Sequence, residues 1–175
     1  MIYWTLLGSD PEWLERNAAD FLSSQELVRL AELRFPKRRR EWLLGRFGAK
    51  NLLLGASQQT GWHVPGVFSV LNQPNGVPFY AREDGHPLPW LLSISHRDGW
   101  AFCALSSDCE TKIGVDIERI EPRPDAFLSD YFTEEEKGYA RGLDATTRTV
   151  WMTAAWSMKE AVLKVMGTGL RVDTR

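Results

Sequence analysis

The 175-residue sequence has only two cysteines, three histidines and no excess of charge of either sign. Cys103 and Cys109 are too few for a disulfide framework, and with three scattered histidines they do not make a zinc site. Twenty-one basic and twenty-three acidic residues leave a formal charge of −2. The chain therefore has no overall field to hold nucleic acid or an anionic membrane, and any electrostatic site must be local.

Long apolar runs are also missing. The first residues, MIYWTLLGSDPEWLERN, contain no basic leader, and their apolar run ends at Leu7. No stretch approaches the roughly 18 apolar residues of a membrane span, so we expect a cytoplasmic protein that contacts no membrane. What is present is 43% hydrophobic residues with eight Trp and eight Phe, a composition typical of a packed globular domain.

The pattern of the first hundred residues predicts a strand, two helices and then an antiparallel sheet. YWTLL reads as a strand, and Ser23 with Glu26 three residues later is a capping box that begins a helix reaching about Phe35. Pro36 begins a second helix, which ends at GASQQTG. Turn signals then fill 61–90, and WLLSISH and GWAFCALS form a hairpin around RDG.

The remaining residues predict a third strand and two helices. KIGVDIERI reads as a strand of the same small sheet. Thr133 and Glu136 form a second capping box before a short helix, and a long helix from Thr147 to about Met166 ends at Gly167. Helix pair, sheet and helix pair indicate the α+β class, compatible with two halves, 1–105 and 106–175.

Two pairs of charged residues and one histidine could take part in a reaction. In a strand Asp116 and Glu118 would point to one side, either as a solvated polar face or as ligands of a hard cation. On the long helix Glu160 and Lys164 are one turn apart, either as an exposed ion pair or as working groups beside large apolar neighbours. His96, at the end of an apolar strand, is either a structural hydrogen-bonding group or projects into a cleft.

The basic run RFPKRRR, at 34–40, opens the second predicted helix. Positive charges at a helix N-terminus oppose the helix dipole. The run is either a solvated helix start or a site where a bound anion contacts the cations and the free backbone N–H groups.

GVDIERI followed by WSMKEAVLKVMGTGL, with SISHRDGW upstream, resembles the 4'-phosphopantetheinyl transferase superfamily, specifically its two-halved surfactin-synthetase-activating type. The resemblance covers about 34–170. It implies two α+β halves related by a pseudo-twofold axis, with the active site in the cleft between them. It also implies Mg²⁺-dependent transfer of 4'-phosphopantetheine from coenzyme A to a serine of an apo acyl or peptidyl carrier protein, which leaves adenosine 3',5'-bisphosphate.

The resemblance also assigns roles to individual residues. Asp116, Glu118 and Glu160 would bind Mg²⁺, with Mn²⁺ as an alternative ion. Glu160 would also act as the base for the carrier serine, and Lys164 would contact the transferred phosphate. The residues expected to bind coenzyme A are Ser95, His96, Lys37, Arg40, Arg46 and Lys164.

Three features depart from the family pattern. Val77 stands where a cationic residue is common, Arg97 stands where a small polar residue is usual, and the chain ends only a short distance after the last motif. The expected protein is a monomer, because the two halves supply one site within one chain. The alternative is a catalytically weak module that binds coenzyme A or a carrier protein. A nucleic-acid binder is disfavoured by the net charge.

Overall fold

The structure, a computed structural model, describes residues 1–64, 66–169 and 172–175. Pro65 and Leu170, which fall in the predicted loop-rich segment and the last predicted motif, lie outside the described residues. Five antiparallel strands form one sheet in the order β1-β5-β4-β3-β2. The strands are β1 Ile2–Gly8, β2 Phe68–Asn72, β3 Pro78–Arg82, β4 Pro87–Arg97 and β5 Trp100–Ser106.

The predicted hairpin between β4 and β5 is confirmed. Its two turn residues, Asp98 and Gly99, have φ of 48° and 83°. Positive φ at both central residues matches the right-handed twist of the flanking strands, so the sequence RDG makes a tight two-residue connection. The hairpin fixes the register in which Ser95 lies opposite Phe102 and Arg97 opposite Trp100.

The helices of the described residues are α1 Pro11–Arg16, α2 Ala18–Phe21, α3 Ser24–Glu32, α4 Pro36–Thr60, α5 Asp125–Tyr131, α6 Glu134–Arg141 and α7 Ala145–Met166. Both predicted capping boxes are present, at the starts of α3 and α6. The sequence pattern missed the short helices α1, α2 and α5. It also began α7 two residues late, because Asp144 is its N-cap and accepts from the N–H groups of Thr146 and Thr147.

Two apolar cores hold these elements together. The larger lies between α4 and one face of the sheet and includes Leu43, Leu53, Val70, Tyr80 and Leu105. The smaller joins α5, α6 and α7 through Leu128, Phe132, Ala140, Met152, Ala155 and Trp156. Burying each large apolar side chain contributes roughly 1.5–3 kcal/mol, so both cores are substantial.

The prediction of a strand at 112–120 is wrong, since this segment joins no sheet. Both neighbours of β4 are already occupied, by β3 and β5, so β4 has no free edge. The segment lies instead across the face of β4. The N–H of Val115 donates to Ser93 Oγ at 3.0 Å, and the N–H of Ile117 donates to Ser95 Oγ at 3.3 Å. Serine side chains therefore replace the backbone ladder of a strand.

The α+β class is confirmed by the sheet and the helices packed on it. After Ser106 the described part of the chain contains three helices and no strand. The division into halves 1–105 and 106–175, related by a pseudo-twofold axis, stays a prediction. Within the described ranges no helix is long and apolar enough to cross a membrane.

Candidate active site

Asp116 lies at the centre of the candidate site, on the segment that crosses β4. Its Oδ1 accepts from Ser95 Oγ at 2.7 Å and from Lys164 Nζ at 2.8 Å. Lys164, from α7, also donates to the carbonyl oxygen of Val115 at 2.9 Å. One carboxylate oxygen thus connects the sheet, the crossing segment and α7. The structure brings together three residues that the sequence analysis had assigned to one site.

Gly114 allows α7 to approach this segment closely. A Cβ atom at position 114 would overlap the carbonyl oxygen of Ala161 on α7. Ala161 follows Glu160, so the close approach sets how near Asp116 comes to the charged residues of the helix. The glycine of GVDIERI is therefore required by packing, independently of its backbone torsions.

Glu160 lies one helical turn before Lys164. Partial burial raises the pKa of Glu160, Lys164 lowers it, and the negative charges of Asp116 and Glu118 raise it further. The net shift is upward. Burial is the largest cause of the shift, and Asp116 and Glu118 are near enough to Glu160 to add to it.

Glu118 has different partners from Asp116. Its Oε2 lies 3.0 Å from Arg123 Nη2 and 3.6 Å from Arg97 Nη1. Arg97 also donates from Nη2 to Glu121 at 2.9 Å. Arg97 is one of the departures from the family pattern named above, whereas no feature of the sequence pointed to Arg123. The period-two spacing of Ser93, Ser95 and Arg97 on β4 could have identified the row of side chains that faces the crossing segment.

The donor set fits a hard cation only in part. Asp116 Oδ2 is buried and has no hydrogen-bond partner among the described residues, and Glu160 is near enough to Asp116 and Glu118 for their charges to raise its pKa. Oxygen donors in such a setting suit Mg²⁺ or Mn²⁺. Glu118, however, is paired with two arginines. Accordingly, the described ranges contain no group of three or more His, Cys, Asp or Glu side chains that could hold a metal ion.

Two cavities adjoin this cluster. The larger, of about 1210 Å³, lies between α3, α4 and the strands β2 and β4. The smaller, of about 420 Å³ and here called the α7 cavity, lies between the β2–β3 hairpin and α7 and is lined by Glu160 and Lys164. Both cavities are lined by Gly76, Pro78 and Ile94, so they meet at a common rim.

The residues predicted to bind coenzyme A are divided among several places. Lys37, Arg46 and His96 line the larger cavity, together with Arg29 and Arg38. Ser95 points to the opposite face of β4, where it holds Asp116. Arg40 and Lys37 both line a separate cavity of about 290 Å³, beside Trp100.

Arg46 and His96 are both partly removed from water in the larger cavity. Burial lowers the pKa of Arg46 to about 10, and nearby Glu26 opposes the shift. Its Nε is buried without a hydrogen-bond partner among the described residues. Burial also lowers the pKa of His96, against the effect of Glu41. An anion in this cavity would therefore meet a guanidinium with an unused donor.

Comparison with known proteins agrees with the motifs. Residues 112–175 match the family model of the 4'-phosphopantetheinyl transferase superfamily. The chain is 29% identical over 110 residues to 4'-phosphopantetheinyl transferase gsp of Aneurinibacillus migulanus, covering 61% of this chain and 45% of that one. It is 32% identical over 99 residues to 4'-phosphopantetheinyl transferase Sfp of Bacillus subtilis (strain 168), covering 54% and 43%.

Among solved structures, a holo-(acyl-carrier-protein) synthase of Bacillus anthracis in complex with CoA is similar with a TM-score of 0.44 and 22% identity. The alignment covers 59% of this chain and 91% of that one. The chain spans about half the length of the curated relatives it matches, or slightly less. Over its residues 112–175, the chain is similar to the 4'-phosphopantetheinyl transferase superfamily.

Proposed function

We propose that this chain transfers 4'-phosphopantetheine from coenzyme A to a serine hydroxyl of an apo acyl or peptidyl carrier protein. The observation that supports this most directly is the convergence of Ser95, Lys164 and Asp116 through one carboxylate oxygen. Glu160 lies one turn away on the same helix as Lys164. A proton acceptor and a cation thus both line the α7 cavity, an arrangement suited to phosphoryl transfer.

The larger cavity would hold the nucleotide end of coenzyme A. Its cations, Arg29, Lys37, Arg38 and Arg46, lie on α3 and α4, and Trp42 lines the same cavity. Guanidinium and ammonium groups bind phosphate oxygens, and an indole ring offers a face for stacking. The pantetheine arm would then pass the common rim into the α7 cavity, which is lined mainly by apolar residues of β4 and α7.

In the transfer step, the carrier serine oxygen would form a bond to the phosphorus that carries the pantetheine. The bond from this phosphorus to the leaving adenosine 3',5'-bisphosphate would break. The serine proton would pass to the carboxylate of Glu160. Lys164 would neutralise negative charge on the phosphate in the transition state.

We also propose that the site binds Mg²⁺, with Mn²⁺ as an alternative. Asp116 and Glu160 would hold the ion, and Glu118 is the third ligand that the family resemblance implies. When bound, the ion would supply charge neutralisation at the pyrophosphate. The chain's own residues would orient the substrate from both sides: Lys164 from α7 and the basic residues from the larger cavity.

A second candidate is a module that binds coenzyme A or a carrier protein and transfers slowly. Val77 favours this reading, because it lines the α7 cavity where the family pattern has a cation. The deciding experiment is the intact mass of an apo carrier protein after incubation with this chain, coenzyme A and Mg²⁺. A gain of about 340 Da that EDTA abolishes is expected for the transferred group. No gain, with coenzyme A still bound, would favour the binding module.

The oligomeric state belongs to the same proposal. We propose a monomer, because the residues assigned to the reaction all lie within one chain. Light scattering of the purified protein tests this directly. A dimer at the concentration used for transfer would contradict it.

A further inference from the structure

Arg97 is placed beside the candidate site by the alternation of side chains along β4. Ser93, Ser95 and Arg97 lie two residues apart and share one face of the strand. On the crossing segment, Ser93 meets Val115, Ser95 meets Asp116 and Arg97 meets Glu118. Arg97 therefore occupies the position next to Glu118 that Ser95 occupies next to Asp116.

Two arginines and two other carboxylates lie near Glu118. The guanidinium groups are those of Arg123, at 3.0 Å, and Arg97, at 3.6 Å. Also near Glu118 are Asp116, whose Oδ2 is buried without a hydrogen-bond partner among the described residues, and Glu160, whose charge and that of Glu118 repel each other. The Glu118 side chain is only 13% exposed, so water competes weakly for it. A cation bound between Asp116 and Glu160 would attract Glu118 away from the arginines.

The two arginines are held differently. Arg123 packs over the ring of Phe127, 4.9 Å from its centroid, and makes the shorter contact to Glu118. Arg97 has its firm partner in Glu121, at 2.9 Å, and only a looser contact to Glu118. The Nε atoms of both arginines are buried without a hydrogen-bond partner in the described part of the chain, so the difference lies in their carboxylate contacts. Arg97 can therefore give up Glu118 while it keeps Glu121.

We propose that Arg97 is a positioning residue that competes with a divalent cation for the carboxylate of Glu118. Glu118 exchanges between an arginine-paired state, which the structure shows, and a state that turns toward Asp116 and Glu160. The charge on Arg97 sets the balance between them and so sets the affinity of the site for the cation. The inference rests on the proposed function, because it takes the carboxylates as the cation site.

The test uses Mn²⁺ alone as the probe, with free Mn²⁺ measured by electron paramagnetic resonance and no coenzyme A present. Removing a partly exposed ion pair partner shifts such an equilibrium modestly, so Arg97→Gln should lower the Mn²⁺ dissociation constant about three- to fivefold. Glu121→Gln should raise it, because Arg97 then has Glu118 as its main partner. The opposite signs of these two changes do not depend on either variant's activity.

Two controls separate competition at Glu118 from a general charge effect. Arg119→Gln removes the same charge from the residue that follows Glu118, where the side chain is 68% exposed and pairs with Asp98; its Mn²⁺ affinity should stay within about twofold of wild type. A double variant with Arg97→Gln and Glu118→Gln should bind Mn²⁺ no more tightly than Glu118→Gln alone. Melting curves of all variants would confirm that they fold.

Several outcomes would overturn the inference. The inference is wrong if wild type and Arg97→Gln bind Mn²⁺ with equal affinity, or if Arg119→Gln gains as much affinity as Arg97→Gln. It is also wrong if the gain survives in the double variant, or if none of the proteins binds Mn²⁺. The carrier-protein mass experiment reads transfer separately. Transfer with no effect of Arg97→Gln on Mn²⁺ affinity would leave the proposed function standing and remove this inference alone.

Discussion

Two lysine–carboxylate pairs lie on opposite faces of the sheet and differ in how completely they are satisfied. On the α4 face, Lys50 Nζ lies 2.6 Å from Glu26 Oε2. Glu26 is 1% exposed and also accepts from the N–H groups of Ser23 and Val70. Every oxygen of this carboxylate has a partner, which is the usual state of a buried charge that serves the fold.

On the other face, Lys164 lies 2.8 Å from Asp116, which is 6% exposed. Here one carboxylate oxygen has two donors, while Oδ2 is buried without any among the described residues. Burying a charged group with an unused acceptor costs free energy that the fold must offset. A lysine–carboxylate pair therefore stabilises the fold on one face of the sheet. On the other face, a similar pair leaves one carboxylate oxygen free to contact a ligand.

Glu160→Gln should produce the largest effect and should affect function without affecting stability. Removing the proton acceptor is expected to slow transfer to the carrier protein by about 10²- to 10⁴-fold. The free energy of unfolding should change by less than about 0.5 kcal/mol, because partial burial already disfavours the ionised side chain. Mass spectrometry of the carrier and urea unfolding measure the two quantities. Glu135→Gln, at an exposed position of α6, is the control, and normal turnover in Glu160→Gln would refute the base assignment.

Glu26→Gln should show the opposite pattern. The change leaves Lys50 buried without its charged partner, so we expect a loss of about 3–5 kcal/mol in the free energy of unfolding. Urea denaturation measures it. Glu32→Gln is the matched control, since Glu32 pairs with Arg29 where both side chains are more than half exposed, and should cost less than about 1 kcal/mol. A loss below 1 kcal/mol in Glu26→Gln would remove the contrast between the two pairs.

Gly114→Ala should displace the segment that carries Asp116 without changing any charged residue of the site. The added methyl group would push the crossing segment away from Ala161, which should cost about 1–3 kcal/mol of stability. It should also lower transfer activity, because Asp116 and Lys164 separate. Gly55→Ala is the control: its Cβ meets nothing within 4 Å, and it should stabilise α4 by roughly 0.5–1 kcal/mol. Equal behaviour of the two variants would show that the close approach is unimportant.

The smallest effect concerns the pH dependence of stability through His96. Its pKa is lowered below 6.5, mainly by burial, so the folded protein binds this proton less readily than the unfolded chain. As the pH falls below 6.5, the protein should therefore lose stability that His96→Gln retains. More than a third of the side chain is exposed and screened by solvent, so the difference should stay well under about 1 kcal/mol. Thermal melts at pH 7.5 and 5.5 test it, and a wild type that gains stability on acidification relative to the variant would contradict the sign.

Local signals in the sequence predicted the elements that depend on neighbouring residues. Ser23 with Glu26 and Thr133 with Glu136 begin helices, and RDG turns a hairpin, because capping and turn chemistry act over three or four residues. The short helices α1, α2 and α5 carry too few residues for a periodic pattern, which explains why they were missed.

The crossing segment shows where this reasoning fails. GVDIERI has the alternation of a strand, yet whether it joins a sheet depends on whether β4 has a free edge. The order of the strands decides that, and no local pattern reports it. Asp116 and Glu118 nevertheless face β4, because hydrogen bonds to Ser93 and Ser95 keep the spacing of two residues.

Local sequence patterns were enough to predict the types of residue at the site, the helix that presents Glu160 and Lys164 together, and the α+β class, because helical and strand periodicity act over a few residues. The pairing of Asp116 with Lys164, the pairing of Glu118 with Arg97 and Arg123, and the separation of Arg40 from the larger cavity became visible only in the folded chain. Such pairings depend on how distant segments pack, since a charged side chain takes its partner from whichever element is folded against it.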